Sequence, residues 1–205
     1  MPTQAALGCK LHTGWVVLVA VAGNPSDIQV LFRRRVELLP PNSSITRFVY
    51  HQASELPPRE AKELVDRGMK AARESARLAV NDAVEELRSR GVRANVCGIL
   101  CGAPSPSKDL AAILRSHPLI HAAEGALFQN AIVSACEHRG VEVVLARERE
   151  VWARAASACN ITESNLRKKL DLSRKSLGPP WNADHKVSTA IALLALASRK
   201  SATSA

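Results

Sequence analysis

The stretch from Ala6 to Ala22, ALGCKLHTGWVVLVAVA, constrains the fold more than any other part of the chain. Two apolar runs, the second rich in valine, flank His12-Thr13-Gly14. Such runs divided by a few turn residues read as a tight β-hairpin. The second run is apolar on both faces, so it belongs inside a sheet that is covered above and below. The rest of the chain must supply those covers.

The sequence predicts strands over 4–10, 13–22 and 28–38, with Ile28, Val30 and Phe32 pointing inward by alternation. A fourth strand is possible over 45–51. Turn residues cluster at 23–27 and 40–44. Short loops between consecutive strands make an antiparallel meander. The period then changes. Pro57-Pro58 opens a helix reaching about Arg90, with Val65, Met69, Ala72, Ala76, Val80, Ala83 and Leu87 on one stripe. Gly91 closes it. A strand over 95–101 and a loop over 102–106 come next. Then come helices over 109–116 and 118–139, a buried strand over 141–146 and helices over 150–159 and 163–172. Gly178-Pro179-Pro180-Trp181 is a rigid break before a last, buried helix over 184–199. Strands joined through helices run parallel with right-handed crossovers. The expected fold class is therefore α/β: a mixed five-stranded sheet, three strands antiparallel and then two parallel, flanked by helices. At 205 residues the chain buries a full core without staples. It reads as one domain over 1–200 with a disordered tail over 201–205.

The formal net charge of +9 favours polyanionic partners, nucleic acid before an anionic membrane surface. The charge is uneven. From Arg147 onward there are eleven Lys/Arg against five Asp/Glu, and Arg33-Arg34-Arg35 forms a second focus. The best polyanion footprint is Arg167-Lys168-Lys169 with Arg174-Lys175; the plain alternative is a solvated basic face. Aromatic residues are only 3% of the chain, which disfavours base-stacking platforms. Five cysteines in irregular, mostly apolar settings fit reduced buried thiols and a cytoplasmic location. The short apolar run 15–22 is a poor signal segment, and no run reaches the ~18 residues of a transmembrane helix. A P-loop, a dinucleotide fingerprint and an esterase elbow are all absent.

The order of elements, with several local matches, resembles the RNase H-like superfamily and within it the RuvC-type Holliday-junction resolvases. Leu7-Gly8-Cys9-Lys10 is similar to that family's first-strand motif, in which an Asp follows Leu-Gly-Ile. Thr13-Gly14-Trp15 is similar to its Thr-Gly-Tyr opening of the second strand, with a turn about three residues shorter. Ala123-Glu124-Gly125-Ala126-Leu127-Phe128 resembles the segment with the second acid. The segment 141–152 resembles the fifth strand and the stretch after it, and 183–193 resembles the C-terminal helix with the last two acids. A further likeness is to small bacterial proteins with a His-Thr-Gly-Trp turn. The resemblance implies nucleic-acid binding, a possible homodimer, and Mg²⁺ ions held by four converging acids for phosphodiester hydrolysis.

Measured against that pattern, Glu124 and Asp184 stand where two metal-ligating acids belong. Lys10 stands where the central catalytic acid belongs, and Val187 where the fourth does. A protonated lysine cannot ligate Mg²⁺; it is expected to pair with Glu124 and Asp184 and take one ion's place. Glu37, Asp27 and Glu148 are the acids nearby that offer a substitute ligand. For Glu124 and Asp184 the plain alternative is favourable placement in first helical turns. His117, His121 and Glu124 are spaced to share one helical face as metal ligands. Pro118, however, puts His117 at or before the helix cap, so capping and packing account for the motif. In Asp184-His185-Lys186, His185 or Lys186 is a candidate phosphate contact, with a surface-facing first turn as the plain alternative; His12 is either at the site mouth or a plain turn residue.

The resulting expectation is a nucleic-acid-binding RNase H-like protein, DNA or RNA unspecified, with a degenerate and inactive two-metal site. It needs no cofactor and does not bind membranes. One alternative is an active Mg²⁺- or Mn²⁺-dependent endonuclease with a rearranged acid set. The other is a non-catalytic scaffold that uses the fold for protein contacts.

Overall fold

The structure, a computed structural model, describes residues 3–24, 27–40, 44–102 and 109–203. The turn clusters at 23–27 and 40–44, the loop over 102–106 and the tail over 201–205 fall partly outside these limits. Three long strands open the chain: β1 (Thr3–His12), β2 (Trp15–Asn24) and β3 (Asp27–Glu37). Thr13 and Gly14 form the turn between β1 and β2, and Gly14 takes the positive φ of 87° that the turn requires. After α1 (Val49–Ser54) and the long α2 (Pro58–Ser89) comes β4 (Val92–Cys101). The chain continues through α3 (Leu110–Leu114), α4 (His117–His138), β5 (Glu142–Arg147), α5 (Glu148–Ala158), α6 (Glu163–Leu172), α7 (Arg174–Leu177) and α8 (Ala183–Thr203). The helix α8 therefore includes part of the expected tail.

The sheet order is β3-β2-β1-β4-β5. β1, β2 and β3 pair antiparallel, while β4 runs parallel to β1 and β5 parallel to β4. The mixed α/β sheet expected from the sequence is the sheet observed. Its two faces carry separate cores, as strand alternation demands. Leu7, Cys9, Val16, Leu18 and Ala20 join α1, α2 and α4 on one face. Ala6, Val17, Val19 and Val21 join α5, α6 and α8 on the other.

The stripe read on α2 is the buried one, with Met69 half-buried at its margin. The expected strand over 45–51 is instead the approach to α1. Val49, Tyr50 and Ala53 are buried there at helical spacing. Val49 packs on Gly68 of α2, where an added Cβ would lie 2.8 Å from its Cγ1. A short apolar run rich in β-branched and aromatic residues suits either state locally. Packing on α2 and α4 decides for helix.

Two glycines set the depth of α8. Gly8 and Gly98 are direct register partners on β1 and β4. A Cβ at Gly8 would lie 2.0 Å from the Ser188 carbonyl oxygen, and one at Gly98 2.3 Å from that of Ile191. Together they make a shallow trough in which the backbone of α8 rests on the sheet. The sequence from Val187 to Leu196 is buried throughout as a result.

Cys9, Cys97 and Cys136 meet in the core on the α2 side, with the Cys9 and Cys97 sulfurs 3.6 Å apart. Hydrogen bonding with Cys136 and Cys9, and then burial, push the Cys97 thiol well above its ordinary value.

Replacing either trough glycine forces α8 off the sheet. Gly8→Ala and Gly98→Ala are each expected to cost at least about 2 kcal/mol by overpacking, read as a fall in Tm of several degrees. Gly125→Ala is the control. No atom lies within 4 Å of a Cβ added there, so this helical position should be neutral or slightly stabilised.

Candidate nucleic-acid interface

The carboxyl ends of β1 and β4 open into a cleft of about 470 Å³. In parallel-strand architectures, ligands collect at such ends. Lys10, His12, Leu100, Cys101, Pro118, His121, Gln129 and Glu148 are among its lining residues. Lys10 and His12 occupy the strand positions that alternate with Leu7, Cys9 and Leu11, so they belong to the face covered by α5 and α8.

That alternation decides their partners. The Lys10 ammonium forms a salt bridge with Glu148, the first residue of α5. It does not reach Glu124 or Asp184, the pairing expected from the sequence. His12 Nε2 is 3.0 Å from Asp184 Oδ2, and the His12 ring stacks on Trp15 with centroids 3.8 Å apart. His12 is thus a cleft residue rather than a plain turn residue. Glu148 and Asp184 also line a neighbouring crevice of about 240 Å³, together with Trp152, Arg167, Asp171 and Lys186.

Glu124 lies on the other side of the sheet. It sits in the buried stripe of α4, between Ala123 and Leu127, and only 2% of it is exposed. This is deep within α4, not in its first turn. Its Oε1 accepts hydrogen bonds from His51 Nδ1 at 2.9 Å and from the His51 backbone N–H at 3.3 Å. Sequence reasoning misses His51, because its segment reads as a strand. The legible signal is Glu124 itself: a carboxylate in an apolar helical stripe requires a polar partner. Val187 is buried among the apolar residues of α8.

Asp184 is in the first turn of α8. Asn182 precedes that helix and accepts the His185 backbone N–H at 3.2 Å as an N-cap does. The linker into α8 is fastened twice. Trp181 Nε1 donates to the Leu170 carbonyl at 2.6 Å. The Arg33 guanidinium donates to the carbonyls of Leu177 at 2.6 Å and Pro180 at 2.8 Å.

Several basic residues read as polyanion contacts therefore hold protein partners. Arg33 ties the linker. Arg34 pairs with Glu86 of α2, and Arg35 with Glu37 while lying 4.0 Å over the Trp15 ring. Arg167 pairs with Glu163 and covers the Trp152 ring at 4.0 Å. Lys186 donates to Asp171 at 2.6 Å. Lys168, Lys169, Arg174 and Lys175 are exposed, and no carboxylate among the described residues pairs with them.

Comparison with solved structures matches this architecture end to end. RuvC of Thermus thermophilus in complex with a Holliday junction superposes with a TM-score of 0.55 over 98% of this chain and 97% of that one, at 14% identity. A second Thermus thermophilus RuvC structure gives a TM-score of 0.53 over 97% of each chain, at 16% identity. The chain has a RuvC-type RNase H-like fold. No protein-family model and no curated protein sequence matches it. Within this RuvC-type fold, no described helix is long and apolar enough to cross a membrane.

His185 adds a pH dependence. Burial and then the Arg33 charge lower its pKa, against the opposing pull of Asp184. The unfolded chain, with an ordinary histidine near 6.5, takes up the proton first. This contribution to stability is therefore complete above about pH 6.5 and is lost as pH falls below it. Urea unfolding across pH 5–7.5 should show that decline, and His185→Asn should flatten the slope whatever its effect at pH 7.5.

Proposed function

We propose that this protein binds nucleic acid through its RuvC-type fold and that side-chain pairs have replaced its two-metal nuclease site. The observation that carries the reading is the Lys10 ammonium at the end of β1, in a salt bridge with Glu148. A two-metal site needs carboxylates that converge on Mg²⁺ ions about 3.5–4 Å apart. Here Glu148 faces Lys10, Asp184 faces His12 and Glu124 faces His51. Each carboxylate is thus held by a side-chain partner in place of a metal ion, the Lys10 ammonium for Glu148 and imidazole hydrogen bonds for Asp184 and Glu124, without an electrophile or an activated water.

The solved Thermus thermophilus protein with the same architecture holds a Holliday junction. That supports nucleic acid as the partner class here, together with the net charge of +9. Lys168, Lys169, Arg174 and Lys175 are the cations we assign to phosphate contact. Each phosphate neutralised releases condensed counterions, so affinity falls steeply with salt. In fluorescence-anisotropy titrations with four-way junction and duplex DNA, the wild type should bind at low salt. The fourfold Glu variant of these residues should bind at least about 100-fold more weakly, with a shallower dependence on log[salt]. Failure of the wild type to bind any branched, duplex or structured RNA or DNA at 50 mM salt overturns the reading and favours a protein-contact scaffold.

A second reading rests on Glu148 and Asp184 sharing one crevice. It makes the protein a Mn²⁺- or Mg²⁺-dependent nuclease with a rearranged acid set. Incubation of junction DNA with Mn²⁺ separates the two. Cleavage by the wild type that is lost in both Glu148→Gln and Asp184→Asn supports the nuclease; no cleavage supports the binding protein. On the binding reading, Lys10→Asp frees Glu148 and adds a carboxylate beside it. Calorimetry should then detect Mg²⁺ binding in the variant and none in the wild type.

A further inference from the structure

We propose that His51, His117 and His121 form a binding site for one zinc-class transition-metal ion, with Glu124 holding His51 in place. The imidazoles come from two helices. His51 lies on α1, while His117 and His121 are one turn apart at the start of α4. Each offers a ring nitrogen, and these three atoms lie within 4.8 Å of one another. His51 Nε2 and His117 Nε2 are 3.4 Å apart. Two nitrogens bound tetrahedrally to Zn²⁺ at 2.0–2.1 Å are separated by about 3.3 Å, so this pair already has the spacing of ligands on one ion.

Glu124 gives the cluster an orientation. An ionised carboxylate only accepts hydrogen bonds. Its 2.9 Å contact therefore places the hydrogen on His51 Nδ1 and leaves the Nε2 lone pair on the side of His117. A carboxylate behind a ligating histidine is the usual outer support of a metal site. The sequence spacing suggests Glu124 itself as a third ligand on the helix; the structure puts it behind His51 and supplies His51 in its stead. Ring centroids 5.2, 4.8 and 4.4 Å apart, with steep interplanar angles, turn the imidazoles edge-on to one another.

The donor set selects the metal class. Three neutral nitrogens suit Zn²⁺, Co²⁺, Ni²⁺ or Cu²⁺ and not Mg²⁺ or Ca²⁺, which require oxygen. His117 and His121 are exposed, so a fourth position remains open to water or an anion, as in three-histidine zinc centres. An ion there ties α1 to α4. It also places a positive charge on the cleft wall, because His121 lines the same cleft as Lys10. The proposal does not depend on nucleic-acid binding. The competing account is a hydrogen-bonded histidine cluster that only packs α1 on α4.

The test uses the full chain, stripped with chelator and titrated with Zn²⁺ at pH 7.5 by calorimetry and chelator competition. One equivalent should bind with a Kd of about 1 µM or tighter, and excess Mg²⁺ should not displace it. Co²⁺ should give the visible absorption of a tetrahedral nitrogen site. His117→Asn and His121→Asn alter exposed residues and should leave the circular dichroism unchanged while weakening Zn²⁺ binding at least about 100-fold. Glu124→Gln should weaken it about 10- to 100-fold. Absence of binding at 0.1 mM Zn²⁺ overturns the proposal. So does binding that survives the His117→Asn/His121→Asn double variant, which would point to the cysteines.

Discussion

Everything at the cleft depends on how closely α8 lies on the sheet. Gly8 and Gly98 are adjacent across β1 and β4, and no side chain separates them from the carbonyls of Ser188 and Ile191. A helix seated that low carries its first turn to the end of β1, where Asp184 meets His12. Arg33 and Trp181 then hold the linker that enters the helix, so its start is fixed as firmly as its middle. The same β1 strand bears Lys10 two residues beyond Gly8. The trough and the site are thus consecutive positions on one face of one strand.

Charge compensation is organised locally. Glu148, Asp184 and Glu124 each have a basic partner from a different element, and the sheet divides the first two from the third. Acids that share a metal ion must face one point, whereas acids with their own side-chain partner need not. This arrangement also explains why the carboxylate of Glu124 tolerates near-complete burial. It accepts two hydrogen bonds from one histidine, which offsets the desolvation that burial imposes.

The basic surface obeys the same logic. Arg34, Arg35, Arg167 and Lys186 contribute to the net charge, yet each has a carboxylate partner, and two also cover an indole ring. Arg33 is committed to backbone carbonyls. The exposed cations on α6 and α7 are different in kind because no carboxylate among the described residues competes for them. A count of lysines and arginines therefore overstates the surface offered to a polyanion, and the partnered residues stabilise the fold instead.

Short two-faced apolar runs and the helical period determined most of this protein. They are legible because β1 and β2 are buried on both faces between turn residues, while burial repeats every three to four residues in α2. Lys10, Glu124 and Asp184 were also legible as candidate residues at spaced positions. Their partners were not. Which face of β1 meets α8, and on which side of the sheet α4 packs, are long-range facts, and they separate Lys10 from Glu124. His51 shows the limit most clearly. Its segment has strand-like composition, but packing against α2 and α4 winds it into a helix and brings the ring to Glu124 and the two histidines of α4. Local sequence specifies periodicity through backbone and side-chain preference. Only tertiary packing decides which distant charges meet, because that depends on how deeply one element can approach another.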